Sequence, residues 1–312
     1  MTPRTKLRRG SARFAAMMVA MSLVLSGCAA RYASFVSDAA LNPPGVEAIG
    51  SPRGDTIDLY SIEIGPPPRS AIFFVSGSGC ASLSYFLRSY LTGLTGSWQV
   101  YAAQKAGVPR SSPGLSCSDE FNDNYNFETL KERNAVALDE VIRRHGEVAG
   151  ILGVSEGGQI AAELAQANPA VRHLAVIGSG GLSFRELARV LDARKGTDTF
   201  QQAFAEVDAD PANTRKSVLG YPHRYWSSVL DRSPAPTYLA LKIPVLMIFG
   251  ERDENVPVES ARMLEERFRA TRAKNFRLVV VPGADHVLLQ DGVDRKPDIM
   301  TLISAFFRDR PA

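Results

Sequence analysis

At 312 residues, 45% hydrophobic and 22% charged, the chain is long and apolar enough for one sizeable core or two small ones, which excludes disorder as the starting assumption. Five of its 36 Lys and Arg lie before residue 14, and without them 31 cations face 33 Asp and Glu, a formal balance of −2. A near-neutral remainder with no basic stripe and no RNA- or DNA-binding motif argues against nucleic acid as a partner.

Arg4, Lys6, Arg8, Arg9 and Arg13 precede the apolar run Phe14 to Leu25, with no acid among them. This is the pattern of an export signal, and the run falls short of the roughly 18 to 20 apolar residues that span a bilayer. The next residues, Leu25-Ser26-Gly27-Cys28, resemble the lipobox of bacterial lipoproteins. The resemblance implies that residues 1 to 27 are removed, that Cys28 is acylated and becomes the N-terminus, and that the lipid holds the protein to the cell envelope. Ala29, in place of Asp, then favours the outer membrane facing the periplasm if the host is Gram-negative. Residues 28 to 54, rich in Ala, Pro and Gly with little periodicity, read as a tether, and 55 to 312 as the folded domain.

In that domain Thr56 to Ile64 reads as a strand, and Ala71-Ile72-Phe73-Phe74-Val75 is apolar without alternation, as in a strand buried on both faces of a parallel sheet. Similar runs recur at Gln99 to Ala102, Val148 to Gly153, Leu174 to Gly178, Pro244 to Phe249 and Arg277 to Val281. Helical patterns lie between them at Ser82 to Leu91, Glu128 to His145, Gly157 to Ala167, Val258 to Ala270 and Pro297 to Phe307. The alternation predicts an α/β fold with a mostly parallel, doubly wound sheet. Residues 182 to 240 break it with several helical stretches and no convincing strand, and read as a helical lid over the carboxyl edge of the sheet. Its Tyr221, Tyr225, Trp226 and Tyr238 either line a substrate pocket or pack the lid onto the core.

Gly153-Val154-Ser155-Glu156-Gly157 fits G-x-S-x-G and sits between a predicted buried strand and a predicted helix, the context in which that motif carries a nucleophile. The glycines have a steric reason, because side chains two residues on either side of a sharp elbow collide with the neighbouring turn. A serine hydroxyl needs a base, and the base an orienting acid. His145, His173 and His223 lie at a helix end, before a strand and in the lid, and read as surface or capping residues. His286 follows the last predicted strand on a loop at the carboxyl edge, and Asp253 lies just past the penultimate strand. Asp285 and Glu254 are the neighbouring alternatives for the acid.

From about residue 56 to 309 the sequence therefore resembles an α/β-hydrolase, with the Ser155 motif, "FGERDENVP" around Asp253 and "PGADH" ending in His286 in that family's order. The resemblance implies Ser155 as nucleophile, His286 as base and Asp253 as orienting acid. It also implies an oxyanion hole from the backbone N–H groups of Glu156 and Ser78, the latter in Ser76-Gly77-Ser78-Gly79-Cys80, where many relatives carry His at the position of Ser76. Hydrolysis of a carboxylic ester is the first expectation, a peptidase or amidase on the same residues the second, and a catalytically silent envelope lipoprotein the third. For Cys80 and Cys117 a disulfide, worth roughly 3 to 4 kcal/mol in the chain-entropy model, and two free thiols both stay open. No metal-ligand spacing, P-loop or dinucleotide fingerprint occurs, so no cofactor is expected.

Overall fold

The computed structural model describes residues 41–309, so the leader, Cys28 and the tether up to residue 40 lie outside the described residues. In chain order the strands are β1 (Gly45–Gly50), β2 (Thr56–Ile64), β3 (Ser70–Val75), β4 (Trp98–Ala103), β5 (Gly150–Val154) and β6 (Leu174–Ile177). After the two-residue β7 (Ser217–Val218) and β8 (Tyr221–Pro222) come β9 (Val245–Gly250), β10 (Phe276–Val281) and the two-residue β11 (Leu289–Gln290) and β12 (Val293–Asp294). Eight of them form one sheet in the order β1-β2-β4-β3-β5-β6-β9-β10. The pairs from β4 to β10 are parallel, and β1 and β2 run antiparallel along one edge.

The unalternating apolar runs have a direct cause, since both faces of the sheet are covered by helices. On one face Phe73 and Val75 pack with Leu138 and Val141 of α3 (Phe127–His145) and Ile160 of α4 (Glu156–Ala167). On the other Ile72 and Phe74 pack with Leu83 and Leu87 of α1 (Leu83–Tyr90) and with Met300 and Ile303 of the helix Lys296–Arg308. Each phenylalanine is fully buried, which stabilises the domain by roughly 2 to 3 kcal/mol per side chain. The 19-residue α3 begins where Asn126 accepts from the Thr129 N–H and ends at Gly146, and Arg143 and Arg144 in its last turn complement the helix dipole.

Between β6 and β9 the chain inserts α5 (Phe184–Lys195), α6 (Thr199–Ala209), the β7-β8 hairpin, α7 (His223–Val229) and α8 (Ala235–Ala240). The small hairpin is a departure from the expectation of no strand here. Ser183 and Glu186 form a reciprocal capping box at the start of α5, which ends at the left-handed Gly196.

Three further expectations are corrected. Residues 45 to 50, assigned to the tether, form β1, whose side chains are nearly all exposed, so its strand identity comes from backbone pairing with β2. The short α2 (Asp119–Asn124), capped by Ser118, was not expected. His173 and His223 are buried rather than on the surface, each bonded through Nδ1 to a backbone carbonyl, Ala149 at 2.8 Å and Asp210 at 3.1 Å respectively. His145 is exposed, with Nε2 2.9 Å from the Tyr101 hydroxyl.

Candidate active site

Ser155 stands at the turn from β5 into α4 with φ 52° and ψ −123°, a backbone conformation costing about 1–3 kcal/mol for a residue with a side chain. Backbone bonds hold it there: its N–H donates to the Ile177 carbonyl of the neighbouring strand at 2.7 Å, and the Gly158 N–H donates to the Ser155 carbonyl at 2.9 Å in the first turn of α4. The flanking glycines are required by close approach. A Cβ at Gly153 would lie 2.6 Å from the Gly157 carbonyl oxygen and 2.7 Å from the Ala161 methyl, and one at Gly157 would run into the carbonyl oxygens of Val75 and Ser76. The elbow is thus wedged against the end of β3, and its serine projects at the carboxyl edge of the sheet.

The loops after β9 and β10 meet it there. His286 Nε2 lies 3.0 Å from Ser155 Oγ, and His286 Nδ1 lies 2.7 Å from Asp253 Oδ2. Asp253 is almost wholly buried, and its other oxygen, Oδ1, accepts from the backbone N–H groups of Asn255 at 2.9 Å and Val256 at 2.8 Å. Because a carboxylate only accepts, the imidazole carries its proton on Nδ1 and leaves Nε2 to accept from the serine hydroxyl. Asp285 does something else: its Oδ1 accepts from the Val287 and Leu289 N–H groups at 3.0 and 2.8 Å and shapes the loop carrying His286. Glu254 is exposed, 3.8 Å from Lys195.

A cavity of about 340 Å³ opens over Ser155. Ser78, Ser155, Glu156 and His286 line its floor, and its walls come largely from the insertion, through Leu182, Phe184, Leu187, Phe200, Tyr221, Tyr225, Trp226 and Val229. Tyr221 also donates to Ser78 Oγ at 2.7 Å. Beneath the floor is a buried polar cluster. Lys105 Nζ donates to Glu156 Oε2 at 2.7 Å and to the Gly77 carbonyl at 2.6 Å, and the Tyr125 hydroxyl donates to Glu156 Oε1 at 2.6 Å. Tyr125 stacks on Tyr225 with ring centroids 4.3 Å apart, and burial together with the adjacent Glu156 pushes its phenol well above the usual tyrosine range, so it stays a donor.

The model of the alpha/beta hydrolase family matches residues 72–295. The chain belongs to that family. The rat (Rattus norvegicus) acylamino-acid-releasing enzyme is 35% identical to the hydrolase over 65 residues, a stretch that is 20% of this chain and 8% of that protein. Among solved structures, a membrane phospholipase A described as a bacterial virulence factor superposes with a TM-score of 0.54 at 20% identity, covering 95% of this chain and 97% of that one. The uncomplexed Pyrococcus horikoshii acylaminoacyl peptidase gives 0.58 at 15% identity, covering 86% of this chain but 41% of that chain. The hydrolase therefore spans well under half the length of these peptidases, and at such identities the structural likeness is one of fold.

Of the residues singled out in its sequence, the hydrolase brings Ser155, His286 and Asp253 into one hydrogen-bonded chain and sets Ser78 and Glu156 at the same cavity. Cys80 and Cys117 are joined by a disulfide with Cα atoms 5.5 Å apart, which ties the loop after β3 to the segment before α2. Of the four lid aromatics, Tyr221, Tyr225 and Trp226 line the cavity, whereas Tyr238 is wholly buried and donates to the Gly158 carbonyl at 3.1 Å. Lys105 and Tyr125 were not singled out. They stand 51 and 31 residues from Glu156, and no motif links them to it.

Proposed function

We propose that the protein is a serine hydrolase that cleaves a carboxylic ester by acyl transfer to water. The observation carrying this reading is the unbroken path from Ser155 Oγ through His286 to the buried Asp253 beneath an apolar cavity. Ser155 Oγ attacks the ester carbonyl as His286 Nε2 takes its proton, and Asp253 stabilises the imidazolium. The N–H groups of Ser78 and Glu156 donate to the carbonyl oxygen as negative charge develops on it. His286 returns its proton to the departing alkoxide, giving the alcohol and an acyl-Ser155. A water, deprotonated by His286, then attacks that acyl group, and the proton passes back to Ser155 Oγ as the acid leaves.

An acyl chain of apolar character suits walls made by Leu182, Phe184, Leu187 and Phe200, with residues 182 to 240 acting as the lid. A peptidase or amidase on the same residues is the second reading, favoured by the 35% local identity to the acylamino-acid-releasing enzyme. The leader and Cys28 support export and lipid anchorage to the bacterial envelope. Soluble protein starting at Ala29 is expected to hydrolyse p-nitrophenyl esters with a chain-length optimum, and Ser155→Ala to lose both turnover and labelling by a fluorophosphonate. Preference for aminoacyl p-nitroanilides would select the amidase reading, and absence of labelling would leave a silent scaffold. Cys28→Ala is expected to release the full-length protein from membranes, and firm retention would refute the anchor.

A further inference from the structure

The buried cluster under the floor of the cavity has a geometry that packing alone does not require. Lys105 and Glu156 are almost completely removed from water, with side-chain exposures of 7% and 4%. Burying an ion pair costs desolvation that its attraction seldom exceeds, and a well-packed apolar pair would serve the fold as well or better. What the ammonium touches gives a different reason for the lysine. Its Nζ donates to the carbonyl oxygen of Gly77, 2.6 Å away. That carbonyl and the N–H of Ser78 are the two ends of a single planar peptide group, so electron density drawn toward the oxygen leaves the N–H more positive.

The same ammonium reaches the second donor. Glu156 supplies the other N–H of the oxyanion hole, and its carboxylate is held by Lys105 at 2.7 Å and by Tyr125 at 2.6 Å. Tyr125 is itself locked by stacking on Tyr225, and Lys105 Nζ sits 5.1 Å from the centre of its ring. The loop after β3 and the elbow after β5 are separate segments, and Gly77 leaves little slack between them, since a Cβ there would come within 3.3 Å of Ser155 Cβ. The Lys105 ammonium is a single bridge between these two segments.

We propose that Lys105 is a positioning residue for the oxyanion hole: it fixes and polarises the Gly77–Ser78 peptide while clamping Glu156, so that both backbone donors face the developing oxyanion. The inference rests on the reading of Ser155 as nucleophile and of Ser78 and Glu156 as donors. With Glu156 beside it the pair has little net charge, so its effect is local to the two peptides and acts on kcat more than on substrate binding.

The test uses a neutral pair, Lys105→Met with Glu156→Gln, which removes the ammonium without stranding a buried carboxylate. A second pair, Lys105→Gln with Glu156→Gln, keeps hydrogen-bonding groups at both positions and serves if the first fails to fold. Removing a whole oxyanion donor lowers kcat by about 10²–10³-fold, so loss of the residue that polarises one is expected to lower it by about 5- to 30-fold, with KM nearly unchanged and the melting transition intact. The loss should shrink for the matching thionoester, whose sulfur accepts these hydrogen bonds poorly, whereas a general misplacement of the site would slow both substrates alike. A folded neutral pair with kcat within about twofold of the parent, or an equal loss on both substrates, overturns the proposal while labelled Ser155 keeps the hydrolase reading. Parent protein that neither turns over nor labels overturns that reading and this inference with it.

Discussion

Replacing Asp253 by Asn tests the hydrogen-bonded path in a way that leaves the fold almost untouched. The substitution is isosteric, and two backbone N–H groups, from Asn255 and Val256, point at one side-chain oxygen at 2.9 and 2.8 Å. An amide placed there must keep its oxygen toward those two donors, because the alternative sets NH₂ against N–H twice. The NH₂ is therefore directed at His286, where an oxygen accepted at 2.7 Å. His286 Nδ1 then becomes an acceptor, the ring proton moves to Nε2, and the group facing Ser155 Oγ can no longer take a proton. A wrong tautomer of this kind costs about 10⁴-fold in kcat, or about 5 kcal/mol of barrier, while stability should change by less than about 1 kcal/mol. Steady-state hydrolysis of the preferred p-nitrophenyl ester, with a thermal melt alongside, reads both numbers. Asp285→Asn, whose Oδ1 bonds to Val287 and Leu289 survive, is the control and should stay within a few-fold of the parent. A folded Asp253→Asn protein retaining more than a tenth of the parent kcat/KM would refute the assignment of Asp253 as the orienting acid.

Gly157→Ala drives a methyl into the backbone oxygens of Val75 and Ser76, which forces the elbow away from the loop after β3. A stability loss of about 1–3 kcal/mol and slower fluorophosphonate labelling are expected, and an unchanged melt would contradict the close packing. Replacing Cys80 and Cys117 by Ser opens a crosslink spanning 37 residues and should cost about 4 kcal/mol in the chain-entropy model; a loss below 1 kcal/mol in urea titrations would argue against it. Burial pushes the His173 imidazole below its ordinary 6.5, and the Ala149 carbonyl only partly offsets this. The unfolded chain therefore binds this proton more readily, so the contribution of His173 to stability is complete above pH 6.5 and is lost as pH falls from there through the lower folded value. His173→Asn should flatten that part of the acid-denaturation curve, and a superimposable curve would refute the assignment.

The parallel strands were legible because burial on both faces leaves unbroken apolar runs, as at Ile72 to Phe74, and the elbow because its glycines answer a local steric demand. β1 was not legible, since in Gly45–Gly50 only Ile49 packs partly against the core and the strand is held mainly by backbone bonds to β2, which leave no side-chain signature. α2 has six residues, too few for a helical period to emerge. Isolated histidines carry no burial signal of their own, which is why His173 and His223 read as surface or capping residues. The disulfide depended on a distance between Cα atoms, and the Lys105–Glu156 contact on β4 and β5 flanking β3 in the sheet. Both are tertiary facts that spacing along the chain does not encode.

The residues around the cavity come from two separate parts of the chain. Ser155, Asp253 and His286 come from loops fixed to β5, β9 and β10, and Ser78 from the loop after β3, all tied to the buried sheet. Leu182, Phe184, Leu187, Phe200 and Trp226 come from one uninterrupted stretch that enters the fold between β6 and β9 and returns to it. On the proposed function, changes at Leu182, Phe184, Leu187 or Phe200 would redraw what the cavity admits while leaving the Ser155–His286–Asp253 hydrogen bonds in place. On that reading, selectivity and reactivity sit on separate stretches of the chain, and the first can be altered by substitutions that leave the second in place.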